Sequence, residues 1–355
     1  TQTLAKGEIM PRIFDNITEH LSEELNSCLD LAYRSDFCVG YFNLRGWKNI
    51  ADKIEAFTGR DGQCCRLLVG MSTAPTEEPT LETDDVLEIP DDRFSADSVV
   101  VVTGGGSGIG RATALAMAIN DLTVVATDVD EDGLTATVDR AADLGVAGRI
   151  ETVAGNLRSE TDIEAIVGAA ADLGSLRYVA NIAGLQHIDP IESFPTEQWD
   201  LMQEVMVRGP FLLAKHAIPH IRATDDGVGA IGNMASVHGH IATQDKVAYI
   251  TAKFGLRGLT AAIAAEGDGT LRSFSVSTGY VKTPLVTNQI PDTAEERGIS
   301  EEAVVEDVML GSSRVKEMMT PADVANLFAF GFSDHGSHLD GGDLTFDGGH
   351  LSTYQ

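Results

Sequence analysis

Residues 236–255 read SVHGHIATQDKVAYITAKFG, so that Ser236, His238, Lys246, Tyr249 and Lys253 all fall in one short run. The whole chain of 355 residues has only eight lysines, and two of them flank this tyrosine at minus three and plus four. On a helix those offsets set the three side chains on one face. Two ammonium groups beside a phenol favour its ionised form. The pattern therefore predicts a base, and a base of this kind needs a scaffold and a reaction partner.

The scaffold begins upstream, in SVVVVTGGGSGIGRATALAMAINDLTVVATD, residues 98–128. Four valines, Val99–Val102, run into a glycine cluster, and a helical apolar stripe follows at Ala112, Leu115, Ala116 and Ile119. A second β-rich run, residues 122–128, ends in Asp128. This is a strand–turn–helix–strand unit with glycines at the turn. Gly104, Gly108 and Gly110 let the backbone turn sharply and approach a pyrophosphate, whose charge sits at the helix N-terminus. Asp128 stands where a carboxylate would hydrogen-bond the adenosine ribose, and it would repel a 2′-phosphate. NAD is the cofactor expected.

Further strands are predicted at 149–157, 176–184, 228–236 and 272–280, with an amphipathic helix over 197–218. Regular βα alternation implies an α/β fold with a doubly wound parallel sheet of Rossmann type, covered on both faces. A small α/β module is expected over residues 1–72. It has helical spacing over 13–35, the strands DFCVGYF and CCRLLVGM, and a helix over 46–57. Residues 73–97 hold three prolines and nine acidic residues against one arginine. They read as a charged, extended linker over 73–94, with the main domain over 95–355.

Acidic residues number 54 and basic ones 25, a net charge of −29. Such a surface repels nucleic acid. Abundant Asp and Glu with scarce Lys resembles proteins of a high-salt cytoplasm, where salt screens the self-repulsion. No window approaches the apolar length of a membrane span, and the first residues lack a signal-peptide pattern; a cytoplasmic protein is expected. Cys28, Cys38, Cys64 and Cys65 fit no zinc spacing, so no metal is expected.

With TGGGSGIG, NIAG (181–184), Ser236, YITAK (249–253) and DGG (347–349) in view, residues 95–355 resemble the short-chain dehydrogenases/reductases. The resemblance implies that Tyr249 removes the hydroxyl proton while NAD accepts a hydride. Lys253 favours the phenolate and holds the nicotinamide ribose; Ser236 hydrogen-bonds the substrate oxygen. It also implies cofactor contacts from Gly104, Ser107, Gly108, Ile109, Gly110, Asp128, Asn156, Leu157, Asn181, Ala183, Gly184, Tyr249, Lys253, Gly279, Val281 and Thr283. Within the family, NIAGLQHIDPIESFPTEQWD and SVHGHIATQDKVAYITAK are similar to the 3-hydroxybutyrate dehydrogenase branch. By that similarity Gln186, His238, Lys246 and Gln289 grip the carboxylate of a small hydroxy acid, one cation among neutral donors. The segment from Thr283 to Ile290 and the residues after it are expected to form a lid over the substrate, and the resemblance implies a homotetramer.

Four positions depart from the family pattern. Met206 stands where an Asn helps relay protons, Ile182 replaces a polar residue, Thr278 precedes Gly279 in place of Pro, and Asn156 replaces an Asp. The alternatives are a short-chain dehydrogenase for another small hydroxy or oxo compound, such as a 3-oxoacyl thioester or a sugar, and a weakly active NAD-binding sensor. Residues 8–71, through IFDN, VGYFNLRGW and RLLVGM, resemble the phospholipase-D-like region that precedes the motor of some helicases. The His-x-Lys pair of a working phospholipase is missing, so a structural or docking role is expected there.

Overall fold

The computed structural model describes residues 35–39, 65–69, 81–90, 93–94 and 97–352. The chain divides into two units, Thr1–Ala74 and Pro75–Gln355. In the first, β1 (Ser35–Val39) and β2 (Cys65–Val69) pair in parallel, Ser35 opposite Cys65. β2 falls inside a run expected to be a strand, and β1 overlaps one, beginning at Ser35, a residue before it. The helices expected at 13–35 and 46–57, and the cysteine side chains, lie outside the described residues.

The second unit is built on seven parallel strands. They are β3 (Ser98–Thr103), β4 (Thr123–Asp128), β5 (Ile150–Ala154), β6 (Ser175–Asn181), β7 (Gly229–Met234), β8 (Leu271–Thr278) and β9 (Asp343–Phe346). Their spatial order is β5-β4-β3-β6-β7-β8-β9. The chain starts in the middle at β3, steps outward to β5, then crosses back to β6. The order reverses between β3 and β6, and in an open α/β sheet that switch point opens a crevice at the carboxyl ends of the strands.

The two faces of the inner strands feed separate cores, as a side-chain period of two requires. Val100 and Val102 point into one, with α1 (Gly108–Ile119) and Phe274; Val99 and Val101 point into the other, with α3 (Glu160–Leu173). Between these helices in the chain lies α2 (Glu131–Asp143). Three more elements bear on the site. α4 (Thr196–Gln203) runs through a π-helical turn, Glu204–Arg208, into α5 (Gly209–Arg222). α6 (Val247–Glu266) follows the β7 loop. The region beyond Thr283 forms α7 (Pro284–Thr287) and α8 (Ile290–Arg297), with Ile290 buried beneath. The last helix, α9 (Pro321–Phe332), packs against α1. β9, short and bracketed by glycines, has no sequence signal strong enough to predict it as a strand of its own.

The expected linker needs correcting. Residues 81–90 and 93–94 are not a free acidic tether: Leu81, Val86, Ile89 and Phe94 are buried in the α1–α9 core. Asn120 accepts from Ile89 N (2.8 Å) and donates to Leu87 O (3.1 Å), while Asn326 accepts from Leu87 N (2.8 Å) and donates to Asp85 O (2.9 Å). Two side-chain amides thus satisfy backbone groups that an extended segment would otherwise leave unpaired. The Phe94 ring meets Tyr178 edge-on at 6.2 Å. Composition hid this strap, because its four anchors are spread among acidic residues.

Candidate active site

The crevice is real and sizeable, with a cavity of about 550 Å³ along the ends of β3, β4, β6 and β7. Its first wall is the glycine turn. Gly104 sits at φ +70°, and a Cβ at Gly110 would fall 2.0 Å from the Gly104 carbonyl oxygen. Neither position tolerates a side chain. Ser107, the N-cap of α1, makes no side-chain cap bond, and no acidic residue occupies the first turn. That leaves helix-start N–H groups for an anion. Thr103 fixes the turn to the neighbouring strand, its hydroxyl accepting from Ile182 N (2.9 Å) and Ala183 N (3.1 Å).

Asp128 closes β4 on the cavity wall, held by Gly106 N (3.0 Å) and Asp130 N (3.1 Å). Arg111, the basic residue nearest the turn, is turned aside, donating to Thr137 Oγ1 (3.1 Å) and to the carbonyl of Gly106. Ser107, Gly108, Ile109, Asn156, Leu157, Ala183, Gly184, Gly279, Val281 and Thr283 line the same cavity, as expected of cofactor contacts. Asn181 does not. It is buried, donating to Asn233 Oδ1 (2.8 Å), and Asn233 in turn donates to Thr260 Oγ1 (2.9 Å). Its role is to brace β6 against β7 and α6. The cavity also takes in Arg158, Leu185, Leu201, Val205 and Leu285, which sequence reasoning passed over; nothing in their local pattern marks them. A backbone cradle, a helix start and a carboxylate at the far end suit a dinucleotide.

Ser236 follows β7 and N-caps a 3₁₀ turn, Val237–Gly239, its Oγ accepting from His238 N (3.2 Å). Tyr249 and Lys253 lie one turn apart on α6, with the Lys253 Nζ 5.2 Å from the phenol ring centroid. That ammonium also donates to Met234 O (2.7 Å), tying α6 to the end of β7. All three side chains line the cavity.

The electrostatics differ from the sequence expectation in two respects. Lys246 is the N-cap of α6 (φ −119°, ψ 33°), outside the helix, so it does not share a face with Tyr249. Its charge is instead felt at His238. And burial dominates at the phenol: Tyr249 is pushed up to about 12 by desolvation, with Ser236's hydrogen bond opposing and nearby Tyr280 reinforcing. Desolvation pushes Lys253 down to about 7. Tyr280 was not foreseen, being one aromatic among several near a strand end.

The four expected carboxylate ligands form two pairs beside, not within, the main cavity. Gln186 Nε2 donates to Gln289 Oε1 at 3.5 Å, across 103 residues of sequence. His238 meets Thr243 Oγ1 at 3.0 Å, and its ring stands edge-on to Tyr249 at 5.8 Å. Burial, then the charges of Lys246, His350 and Lys253, push the His238 imidazole down to about 4, so it is neutral near pH 7. Lys246, lowered by burial alone, has no hydrogen bond or ion pair among the described residues.

Residues 104–350 match the family described as enoyl-(acyl carrier protein) reductase. D-beta-hydroxybutyrate dehydrogenase of Rhizobium meliloti is 35% identical over 251 residues, covering 70% of this chain and 96% of that protein. The chain belongs to the short-chain dehydrogenase/reductase family. The D-beta-hydroxybutyrate dehydrogenase of Cupriavidus necator is 31% identical over 261 residues, again 70% of this chain and 96% of the relative. The crystal structure of levodione reductase superposes with a TM-score of 0.67 at 29% identity, covering 74% of this chain and all of that one. The protein is thus an oxidoreductase of a family that generally uses NAD(P).

As a short-chain dehydrogenase it has one conspicuous departure. Met206 sits in the π-helical turn, a kind of irregularity that often marks a functional position. Its side chain is fully buried, packed with Met202, Ala248 and Ala252 and against Tyr249. The point a Cβ at Gly184 would occupy is 3.6 Å from Met206 Sδ and 3.9 Å from Lys253 Nζ. A thioether is at most a weak acceptor and never a donor. The wall beside Lys253 is therefore apolar where the family pattern has an amide.

Proposed function

We propose that this protein interconverts (R)-3-hydroxybutyrate and acetoacetate with NAD. The observation that carries the proposal is Lys246: a half-buried ammonium without a counter-ion among the described residues, whose charge is felt at a neutral imidazole that stands edge-on to the phenol. A buried cation left unpaired is unfavourable, and an anionic substrate group would supply its partner. Gln186 and Gln289 add neutral amide donors. Asp128 on the ribose side, with Arg111 engaged elsewhere, supports NAD over its 2′-phosphorylated form.

The bound nicotinamide supplies a hydride acceptor when oxidised and a donor when reduced. Ser236 Oγ would orient the substrate oxygen, and Tyr249 would exchange the proton on it. In the reducing direction the phenol already holds that proton at neutral pH, as its high pKa requires. In the oxidising direction it must first be ionised, and the positive charge that an oxidised nicotinamide would supply would favour the phenolate. Proton exit past Met206 is the weak point, so slow turnover is expected.

The test is NADH formation at 340 nm from (R)-3-hydroxybutyrate in concentrated salt. Turnover of the acid well above that of 2-butanol supports the proposal; equal rates refute the carboxylate grip. The alternative, a dehydrogenase for another small oxo or hydroxy compound, draws on the apolar stretch Leu185, Leu201, Val205 and Leu285 and on the likeness to levodione reductase. Tight NAD binding without turnover of either substrate would point to a sensor.

A homotetramer is also proposed, supported by Phe211 of α5 and Phe254 of α6, 51% and 45% exposed. We take the protein as cytoplasmic and adapted to high salt. No described helix is long and apolar enough to cross a membrane. For residues 1–72 we propose a docking or structural role without catalysis.

A further inference from the structure

We infer that His240 and Asp343 form a clamp that positions the turn bearing Ser236 and His238, making both positioning residues for the reaction. The inference rests on the dehydrogenase reading of Ser236 and Tyr249.

Asp343 opens β9 and lies in register with Ser275 of β8. Ser275 and Ser277 project from the same face of β8 and both donate to Asp343 Oδ1, Ser277 at 2.9 Å. Thr345 donates to Oδ2 at 3.0 Å. These three hydroxyls belong to the two strands. The fourth partner does not: His240 Nε2 lies 3.0 Å from Asp343 Oδ2 and 3.1 Å from Ser277 Oγ. His240 is the C-cap of the 3₁₀ turn, four residues after Ser236 and two after His238. A carboxylate nearly satisfied inside the sheet thus reaches across to the segment that presents the substrate-facing hydroxyl.

The turn is gripped from its other side as well. Arg257 Nη1 of α6 donates to Gly239 O at 2.8 Å, and a Cβ on Gly239 would meet Lys253 O at 3.0 Å. Between these two holds the turn has little freedom. Both ring contacts use Nε2, so the three groups are not arranged as a nucleophile–base–acid relay, which needs both ring nitrogens. Holding is what the geometry does. A hydrogen bond to a charged group, largely shielded from water, is among the stronger ones available to a side chain. If it is lost, Ser236 no longer sits in one orientation against Tyr249.

The test compares His240→Leu, His240→Asn and His240→Gln in the full chain. The Gln amide nitrogen can reach where Nε2 stands; that of Asn falls short. Thr345→Val removes a sheet partner of the same carboxylate oxygen and leaves the turn alone. Hydrogen exchange of the 237–240 amides, kcat and KM for 3-hydroxybutyrate, and NADH affinity are measured on each. Leu and Asn should speed exchange at the turn and lower kcat about tenfold, with NADH affinity within twofold, the scale of one lost charge-assisted bond. Gln and Thr345→Val should stay near the parent. Parent-like exchange in both Leu and Asn, failure of Gln to recover, or an equal loss in Thr345→Val would each overturn the clamp. Should the parent not oxidise 3-hydroxybutyrate, the substrate proposal falls, and the exchange data alone decide the clamp. If His240→Leu does not fold, the Asn and Gln pair carries the comparison.

Discussion

The two halves of the cleft are made from different materials. The cofactor half is mostly backbone: the Gly104–Gly110 turn, the open start of α1, and strand ends locked by Thr103. The half we propose for the substrate, beside the main cavity, is side chains on loops that meet only through the fold, as Gln186 meets Gln289 and Lys246 acts on His238. Backbone sites depend on a local run of residues and are expensive to alter. Loop side chains can be exchanged one at a time without touching the scaffold, which is how one fold serves many chemistries.

The contrast can be broken most severely at the turn. Gly110→Val should abolish NADH binding measured by fluorescence, because its side chain would overlap the Gly104 carbonyl. Retained binding would mean that the cradle is not the cofactor site. Next in size, Tyr249→Phe should keep NADH affinity while lowering turnover by about 10²–10⁴-fold, the usual contribution of a positioned acid–base group. That separation of binding from chemistry is the sharpest form of the comparison.

A milder effect lies outside both halves. Phe94→Ala, in the strap, should cost about 3 kcal/mol in chemical denaturation, the usual cost of removing a buried phenylalanine, with NADH affinity unchanged. A parent-like midpoint would mean the strap is not part of the core. Smaller still is a pH effect from Lys253. Its folded pKa of about 7 lies below the unfolded value of 10.5, so between those limits the unfolded chain binds more protons and stability rises with pH. The melting temperature of cofactor-free protein should climb from pH 7 to 9, and Lys253→Met should flatten that climb. An equal climb in both would remove Lys253 as its source.

What the sequence revealed follows the same division. The six strands from β3 to β8 were legible as short β-rich runs bounded by turns, and the helix stripe at Ala112, Leu115 and Ala116 by its helical period. The glycine turn was legible because only glycine fits there. Other features were not. The place of Lys246 depends on where α6 begins, and a one-turn change in a helix start moves a residue off the face that spacing alone assigns. The phenol's pKa depends first on burial, which no local spacing displays. Tyr280 and His350 reach the site through tertiary folding and leave no local pattern. Asn181 carried a familiar motif yet serves the sheet.

The central claim is that a carboxylate-bearing substrate is held by Lys246 independently of the cofactor cradle. Steady-state kinetics of Lys246→Ala with (R)-3-hydroxybutyrate, beside an NADH titration, tests it directly. KM should rise by about 10–100-fold, the range for losing one charge-assisted contact, with NADH affinity unchanged. An unaltered KM would contradict the account.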